Sequence, residues 1–320
     1  MAATFTPPQV LEVTGAGSPD CAGVLAVWRA VDAEIGPDAP PIPAEELGAE
    51  LFLPPPDRRK HVWLATIDGV PAGLSVVERH LDGVNEVTAV LYLATDPARR
   101  HRGVGRALAR ACLPAIAAAG GTSVLGWATS PAGAAFSREL GLTHRQDERC
   151  SRLQVAEVDD AQQRRWIADA PARAEGYRLV GWVSVVPDEW AEPLALALEA
   201  MVDAPLDDMD WDPQVLSPRQ VQDRERWWDA LGCDVVTTLA LAPDGAPAGA
   251  SQLLVSRLRP PLGRQADTGV IGAHRGHGLG RWLKAENLRR ARQHEPALAV
   301  VETYNAESNP HMLAINVEMG

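Results

Sequence analysis

Thr95-Asp96-Pro97-Ala98-Arg99-Arg100-His101-Arg102-Gly103-Val104-Gly105 returns 175 residues later as Val270-Ile271-Gly272-Ala273-His274-Arg275-Gly276-His277-Gly278-Leu279-Gly280. In both, Arg-x-x-Gly-x-Gly follows an apolar run and precedes a helical pattern. Two more landmarks repeat around it. Asp68-Gly69-Val70-Pro71-Ala72-Gly73 recurs as Asp244-Gly245-Ala246-Pro247-Ala248-Gly249, a shift of 176, and the stretch from Ser130 to Gly141 matches that from Asn309 to Gly320 at a shift of 179. Three landmarks in one order and at nearly one spacing indicate a duplicated domain; the period is too long for a solenoid.

Each copy reads as a mixed α/β unit. Strands joined at Asp68-Gly69 and at Asp244-Gly245 carry a hairpin signal. Apolar spacing predicts helices over 104–119 and 279–293, each entered from a glycine turn. Short apolar strands follow at 123–129 and 298–304. The polar, Ala/Arg-rich stretch 159–176, interrupted by Pro171, reads as a linker, so the expected domains are 1–158 and 177–320.

The chain has 320 residues, enough for two cores, and its 30 Lys+Arg against 42 Asp+Glu leave a net charge of −12. That balance argues against a general nucleic-acid or anionic-membrane binder and favours a cationic partner such as an amine. Lys60 and Lys284 are the two lysines in a chain whose other strong bases are arginines. Four scattered cysteines without a CxxC predict free thiols. The start, Met1-Ala-Ala-Thr-Phe, has no basic or apolar leader pattern, and no run of some 18 apolar residues occurs, so a cytoplasmic protein is expected, as monomer or homodimer.

A strand, a glycine turn and a helix make an anion cradle. The first N–H groups of a helix lack intrahelical partners, and the helix dipole favours negative charge there. A dinucleotide fingerprint would need a third glycine where Leu108 and Leu283 stand, and no Walker loop is present. Arg99, Arg100, Arg102, Arg106 and Arg110 surround the first turn, and Arg275, Arg281, Lys284, Arg289 and Arg290 the second. In an acidic protein these clusters suit an anionic cofactor. His274 and His277 form an H-x-x-H pair without a nearby third ligand, so no metal is expected.

Both glycine segments resemble motif A of the GNAT (general N-acetyltransferase) superfamily. With Thr303-Tyr304-Asn305-Ala306-Glu307-Ser308-Asn309 and Met312-Leu313-Ala314-Ile315-Asn316, the second copy is similar to the tandem acetyltransferases of that superfamily. The resemblance implies an α/β fold of the mixed-sheet, α+β kind, with two tandem acyl-CoA N-acyltransferase domains. It implies acetyl-CoA as cofactor and a small amine as acceptor, by direct attack of the amine on the thioester. Carried onto this sequence, Arg275, Gly276, His277, Gly278, Leu279, Gly280 and Arg281 form the pyrophosphate loop. Val270 and Ile271 supply backbone contacts to the pantetheine arm, and Asn309 sits beside it. In the first copy the loop is Arg100, Arg102, Gly103, Val104, Gly105 and Arg106.

Such chemistry needs a base for the amine proton and an acid for the departing thiolate. Asp267 is the favoured base, with Glu302 the other candidate, and Asn305 is expected to orient the acceptor. Strand alternation puts Glu302 and Tyr304 on one face, Thr303 and Asn305 on the other. The tyrosine that many family members use as acid falls at Asn316 in one copy and Ser137 in the other. The second copy keeps Asn309 and the fuller family pattern where the first has Ser130, so the second is expected to be catalytic and the first structural or acyl-CoA-binding. Two alternatives remain: a non-catalytic acyl-CoA-binding regulator, and a transferase acetylating an amino-sugar thiol conjugate. The resembling proteins continue beyond the counterpart of Gly320 with further strands, which leaves open how the second sheet is completed.

Overall fold

A computed structural model describes residues 6–36, 41–81 and 83–320; the opening residues 1–5, on which the reading of the leader rested, lie outside the described residues. The chain divides into two units, Met1–His144 and Arg145–Gly320.

The first unit runs β1 (Gln9–Val13), α1 (Cys21–Ile35), α2 (Ala44–Phe52), β2 (Arg58–Ile67), β3 (Val70–His80), β4 (Thr88–Thr95), α3 (Val104–Ala118), β5 (Ser123–Leu125) and α4 (Pro131–Glu139). Its sheet has the order β1-β2-β3-β4-β5, antiparallel except for the parallel β4/β5 pair. Asp68 and Gly69 both take positive φ, 52° and 74°, the two-residue geometry that matches strand twist in a hairpin. Alternation then sorts the strands. Val62, Leu64, Leu74 and Val76 pack with Val24, Val27 and Val31 of α1, while Trp63, Ala65, Val77 and Leu91 pack under Leu108, Cys112 and Ile116 of α3.

The second unit runs β6 (Glu148–Gln154), α5 (Asp160–Arg173), β7 (Arg178–Val183), α6 (Asp188–Leu198), α7 (Pro218–Ala230), β8 (Cys233–Leu241), β9 (Pro247–Ser256), β10 (Leu262–Val270), α8 (Leu279–His294), β11 (Val300–Ala306) and α9 (Pro310–Met319). Its sheet order is β6-β11-β10-β9-β8-β7. The β10/β11 pair is parallel, the counterpart of β4/β5, so both copies carry the mixed sheet expected from the repeat.

Two expectations about domain limits are corrected. Residues 159–176 are no linker. Asp159 caps α5 by accepting from the N–H groups of Ala161 and Gln162, and Gln163, Ala170 and Ala174 are buried. Gln163 donates to the Ala285 carbonyl at 2.9 Å, and Asp160 pairs with Arg292 at 2.7 Å, which fixes α5 along α8. Pro171 falls in the last turn of α5, where its missing N–H costs one bond rather than the helix. Residues 145–158, assigned in advance to the first domain, contribute β6 to the second sheet. β6 runs antiparallel to β11 from Val300↔Gln154 to Ala306↔Glu148, and so covers that edge of β11. The ion pairs Arg149–Glu307 (2.8 Å) and Arg152–Glu302 (2.7 Å) lie along that seam.

All four cysteines are free, with Cys21, Cys112 and Cys233 buried. Among the described residues no helix is long and apolar enough to cross a membrane.

Beneath α7 lies a buried polar network. Glu225, fully buried, accepts from the Val186 N–H and from Gln252 Nε2, each at 2.6 Å, and Gln252 also donates to Thr237 at 3.1 Å. Burial pushes the Glu225 carboxyl up to about 7. Its folded value thus lies above the unfolded one, so its contribution to stability is complete below about pH 4.5 and is lost as pH rises through 7. Glu225→Gln removes that loss. Between pH 5 and 8 the stability of the variant relative to wild type should improve, by up to roughly 3 kcal/mol, in urea unfolding followed by circular dichroism.

Candidate active site

The parallel strands of the second unit are hydrogen-bonded over three residue pairs only, Leu262↔Val300, Gly263↔Val301 and Arg264↔Glu302. Beyond them β10 continues to Val270 and β11 to Ala306 without pairing, so the strands part and leave an opening between them. A bulge between Gln265 and Thr268, where β10 gains one residue on β9, turns β10 at that point. In the first unit β4 and β5 likewise pair at Thr88↔Ser123, Ala89↔Val124 and Val90↔Leu125 and no further, but β4 runs against β3 without a bulge.

The opening in the second unit leads to the glycine turn. Gly276 and Gly278 take φ of 86° and 75°, and in the first unit His101 and Gly103 take 62° and 78°. The two turns therefore share one backbone track, with Gly103 and Gly278 as left-handed N-caps of α3 and α8. Val104 and Leu279 are the first helical residues, and both are buried. Gly105 and Gly280 have a different task. A Cβ on Gly105 would meet the Phe136 ring at 3.0 Å, and one on Gly280 would meet Ile315 Cδ1 at 3.2 Å, so these glycines let α4 and α9 approach.

The arginines of the loops are largely committed within the protein. Arg100 forks onto Glu34, and Arg106 binds Glu139 at 2.6 Å. Arg275 donates to the Val270 carbonyl (3.1 Å) and to Asp203 (2.7 Å), closing the turn from inside. Arg281 forks onto Glu318 at 2.7 Å on both arms, with its guanidinium 5.8 Å from the Trp166 ring. Arg102 is exposed. His274 and His277 both contact Tyr177: its hydroxyl is 2.9 Å from His274 Nδ1, and the His277 ring lies 5.2 Å away. A small pocket at the mouth of the turn joins His277, Gly278 and Arg281 to Arg165 and Arg173 of α5. Reading 159–176 as linker hid those two cations, although the Asp159 cap and the spacing of Gln163, Ala170 and Ala174 were visible.

Val270 and Ile271 behave differently. The Ile271 N–H donates to Ala248 at 2.9 Å, and its carbonyl accepts from His274 at 2.8 Å, so its polar groups serve β9 and the turn. Alternation directs the N–H and C=O groups of Thr268 and Val270 to the other side, where Arg275 takes the Val270 carbonyl and the Val270 N–H and the Thr268 groups face the opening. The backbone edge facing the opening is thus Thr268 and Val270 rather than Val270 and Ile271.

The proposed bases are both ion-paired. Asp267, on the bulge, lies 2.9 Å from Arg224, which also donates to Gln252 and stacks on Trp228 at 4.7 Å. Glu302 is held by Arg152. Asn309 caps α9, accepting from Met312 N–H at 3.2 Å, and Ser130 caps α4 in the same way through Gly133. Asn305 accepts from Asn316 Nδ2 at 2.8 Å, which puts it on the α9 side of β11 as alternation requires. Lys284, expected among surface cations, is 5% exposed and donates to Asn316 Oδ1. The signal for its burial was its place one turn after Gly280, on the face of α8 that meets α9.

The sequence model of the Acetyltransferase (GNAT) family matches residues 28–141, within the first unit. A mycothiol acetyltransferase of Nocardia farcinica is 31% identical over 279 residues, covering 85% of this chain and 82% of that protein. One of Salinispora tropica is 28% identical, covering 95% and 90%. Among solved structures, a tandem GNAT protein from the clavulanic acid biosynthesis pathway superposes with a TM-score of 0.79 at 27% identity, covering 98% of this chain and 94% of that one.

Because Gly278 sits at a φ that a side chain disfavours, Gly278→Ala should cost roughly 1–2 kcal/mol, read as a lower denaturation midpoint.

Proposed function

Since the chain belongs to the GNAT family of acetyltransferases, with two such units in tandem, we propose that its second unit moves the acetyl group of acetyl-CoA to a primary amine of a small molecule. The observation that carries this is the β10/β11 pair, bonded for three residues and then open, with the N-terminus of α8 at its mouth. The residues present fit the cofactor. The unpaired first-turn N–H groups of α8, with His277, Arg165 and Arg173 beside them, suit a diphosphate. The Thr268 backbone and the Val270 N–H offer groups at strand spacing for an extended amide chain, the Val270 carbonyl being held by Arg275. Bound there, acetyl-CoA supplies an activated acyl group on a sulfur leaving group.

The acceptor is best matched by a cationic amine. Asp203, Asp207, Asp208, Asp210 and Asp212 crowd the segment between α6 and α7. The start of that segment packs on β10, with Ala200 Cβ 2.9 Å from where a Cβ on Gly269 would stand. A mycothiol-type acceptor, named for the relatives, is the first to try. With Asp267 held by Arg224, the pair serves better to orient a bound amine than to take its proton, which leaves that proton to water.

A second reading, a non-catalytic acyl-CoA binder, draws on Asn316 and Ser137 standing where a tyrosine acid is usual. Release of free thiol from acetyl-CoA with a panel of amines separates the two, because a binder never turns over. Gly278→Glu should weaken CoA binding by at least about 100-fold in calorimetry and abolish turnover, while Gly103→Glu should leave turnover in place. Loss of activity in the Gly103 variant alone would reverse the assignment of the working unit.

A further inference from the structure

Where β10 and β11 part, a cavity of about 50 Å³ lies behind the opening, walled by Gln265, Thr303, Leu288, Asn316 and Lys284. Lys284 reaches it from α8. Its ammonium has two partners among the described residues, the Asn316 side-chain oxygen and, at 3.9 Å, the Met312 sulfur. An ammonium has three donors, and here one strong acceptor is present for them, so a buried cation faces the cavity with hydrogen-bonding capacity to spare. Asn316 is fixed in turn: its amide donates to Asn305 Oδ1 at 2.8 Å, which sets its oxygen toward Lys284. The corresponding positions of the first unit are Ala109 and Ser137, so that unit has no such cation.

We propose that Lys284 is the proton donor to the departing thiol in the second unit, doing from α8 what a tyrosine at position 316 would do from α9. The proposal rests on the acetyl-transfer reading given above. As the acceptor nitrogen forms its bond to the acetyl carbon, the carbon–sulfur bond breaks and its electron pair stays on sulfur. Lys284 gives sulfur one proton, the acceptor nitrogen sheds one to water, and Lys284 regains one from water, so no proton is gained or lost overall. Asn316 and Asn305 are positioning residues that hold Nζ toward the cavity.

Burial pushes the Lys284 ammonium down to about 8, close to the value of about 8.5 for an ordinary thiol, so transfer between them runs nearly level in energy. The charged groups on the neighbouring elements are spoken for. Arg152 of β6 also lines the cavity but is paired with Glu302 of β11, and Glu318 of α9 is paired with Arg281. β9 and β10 present Leu253 and Gln265 to the cavity.

The test exploits the presence of only two lysines in the chain. In protein labelled with ¹³Cε-lysine, saturating CoA should move the Lys284 resonance and its titration midpoint and leave Lys60 unchanged. The thiol of bound CoA, followed by its ultraviolet thiolate absorbance, should ionise at lower pH than free CoA, and Lys284→Met should abolish that shift with CoA affinity kept within about threefold. With an amine that the wild type acetylates, Lys284→Met should lower kcat by on the order of 100-fold with little change in KM, and Lys284→Met/Asn316→Tyr should recover part of the loss. The two wild-type measurements stand even if the variants fail to fold. CoA that binds without disturbing Lys284, or an unchanged kcat in a folded Lys284→Met, overturns the proposal alone. Failure of the chain to bind CoA at all overturns the acetyl-transfer reading and this proposal with it.

Discussion

Parallel strands that stop hydrogen-bonding to each other after three residues impose the central constraint on this protein. Backbone groups in a sheet interior normally have partners on both sides, and leaving one side of a central strand open in the middle of a fold costs free energy unless something else binds there. In the second unit the bulge of β10 and the separation of β11 create that open edge, and the glycine turn aims a helix N-terminus at its mouth. Strand edge, helix end and cavity are consecutive in space because one stretch, from Leu262 to Leu288, passes through all three.

The two copies keep the frame and differ in what fills it. Both have the short parallel pair and the left-handed cap glycine. Only the second has the β10 bulge, together with the Lys284–Asn316–Asn305 chain; the first carries Ala109 at the loop offset of 175 and Ser137 at the offset of 179 that relates the last helices. In the first unit Arg100 and Arg106 are held by glutamates, which removes two of the cations that the sequence placed around its turn. The family sequence model falls on this first unit, so retention of the family pattern and provision of polar groups at the opening are separate properties.

The repeat made the fold legible, because hairpin glycines, loop glycines and helix caps are local requirements that leave fixed letters at fixed intervals. Alternation correctly set Thr303 and Asn305 on one face of β11. What escaped were pairings between residues far apart in sequence. Nothing local says that Arg224 reaches Asp267, that Arg152 reaches Glu302, or that Glu148–Gln154 belongs beside β11. The stretch after Asp159 was misjudged for another reason: a proline in a last helical turn looks the same in sequence as one that breaks a helix. Lys284 is grouped in sequence with the arginines around the second turn because charge alone carries no information on depth, whereas its phase on α8 places it inward.

The placement of β6 bears on how the chain matures during synthesis. Glu148–Gln154 emerges from the ribosome some 150 residues before the strand it pairs with, as the 150-residue separation of Arg152 and Glu302 measures. At about 5–20 residues per second, that segment waits on the order of 10 seconds or more with its ladder unmade. The first unit, whose strands all lie before it, has every partner in hand by then. The second sheet closes only after β11 has emerged in its turn, so the interval between the two events is when an extended, unpaired segment is exposed to chaperones and to neighbouring nascent chains.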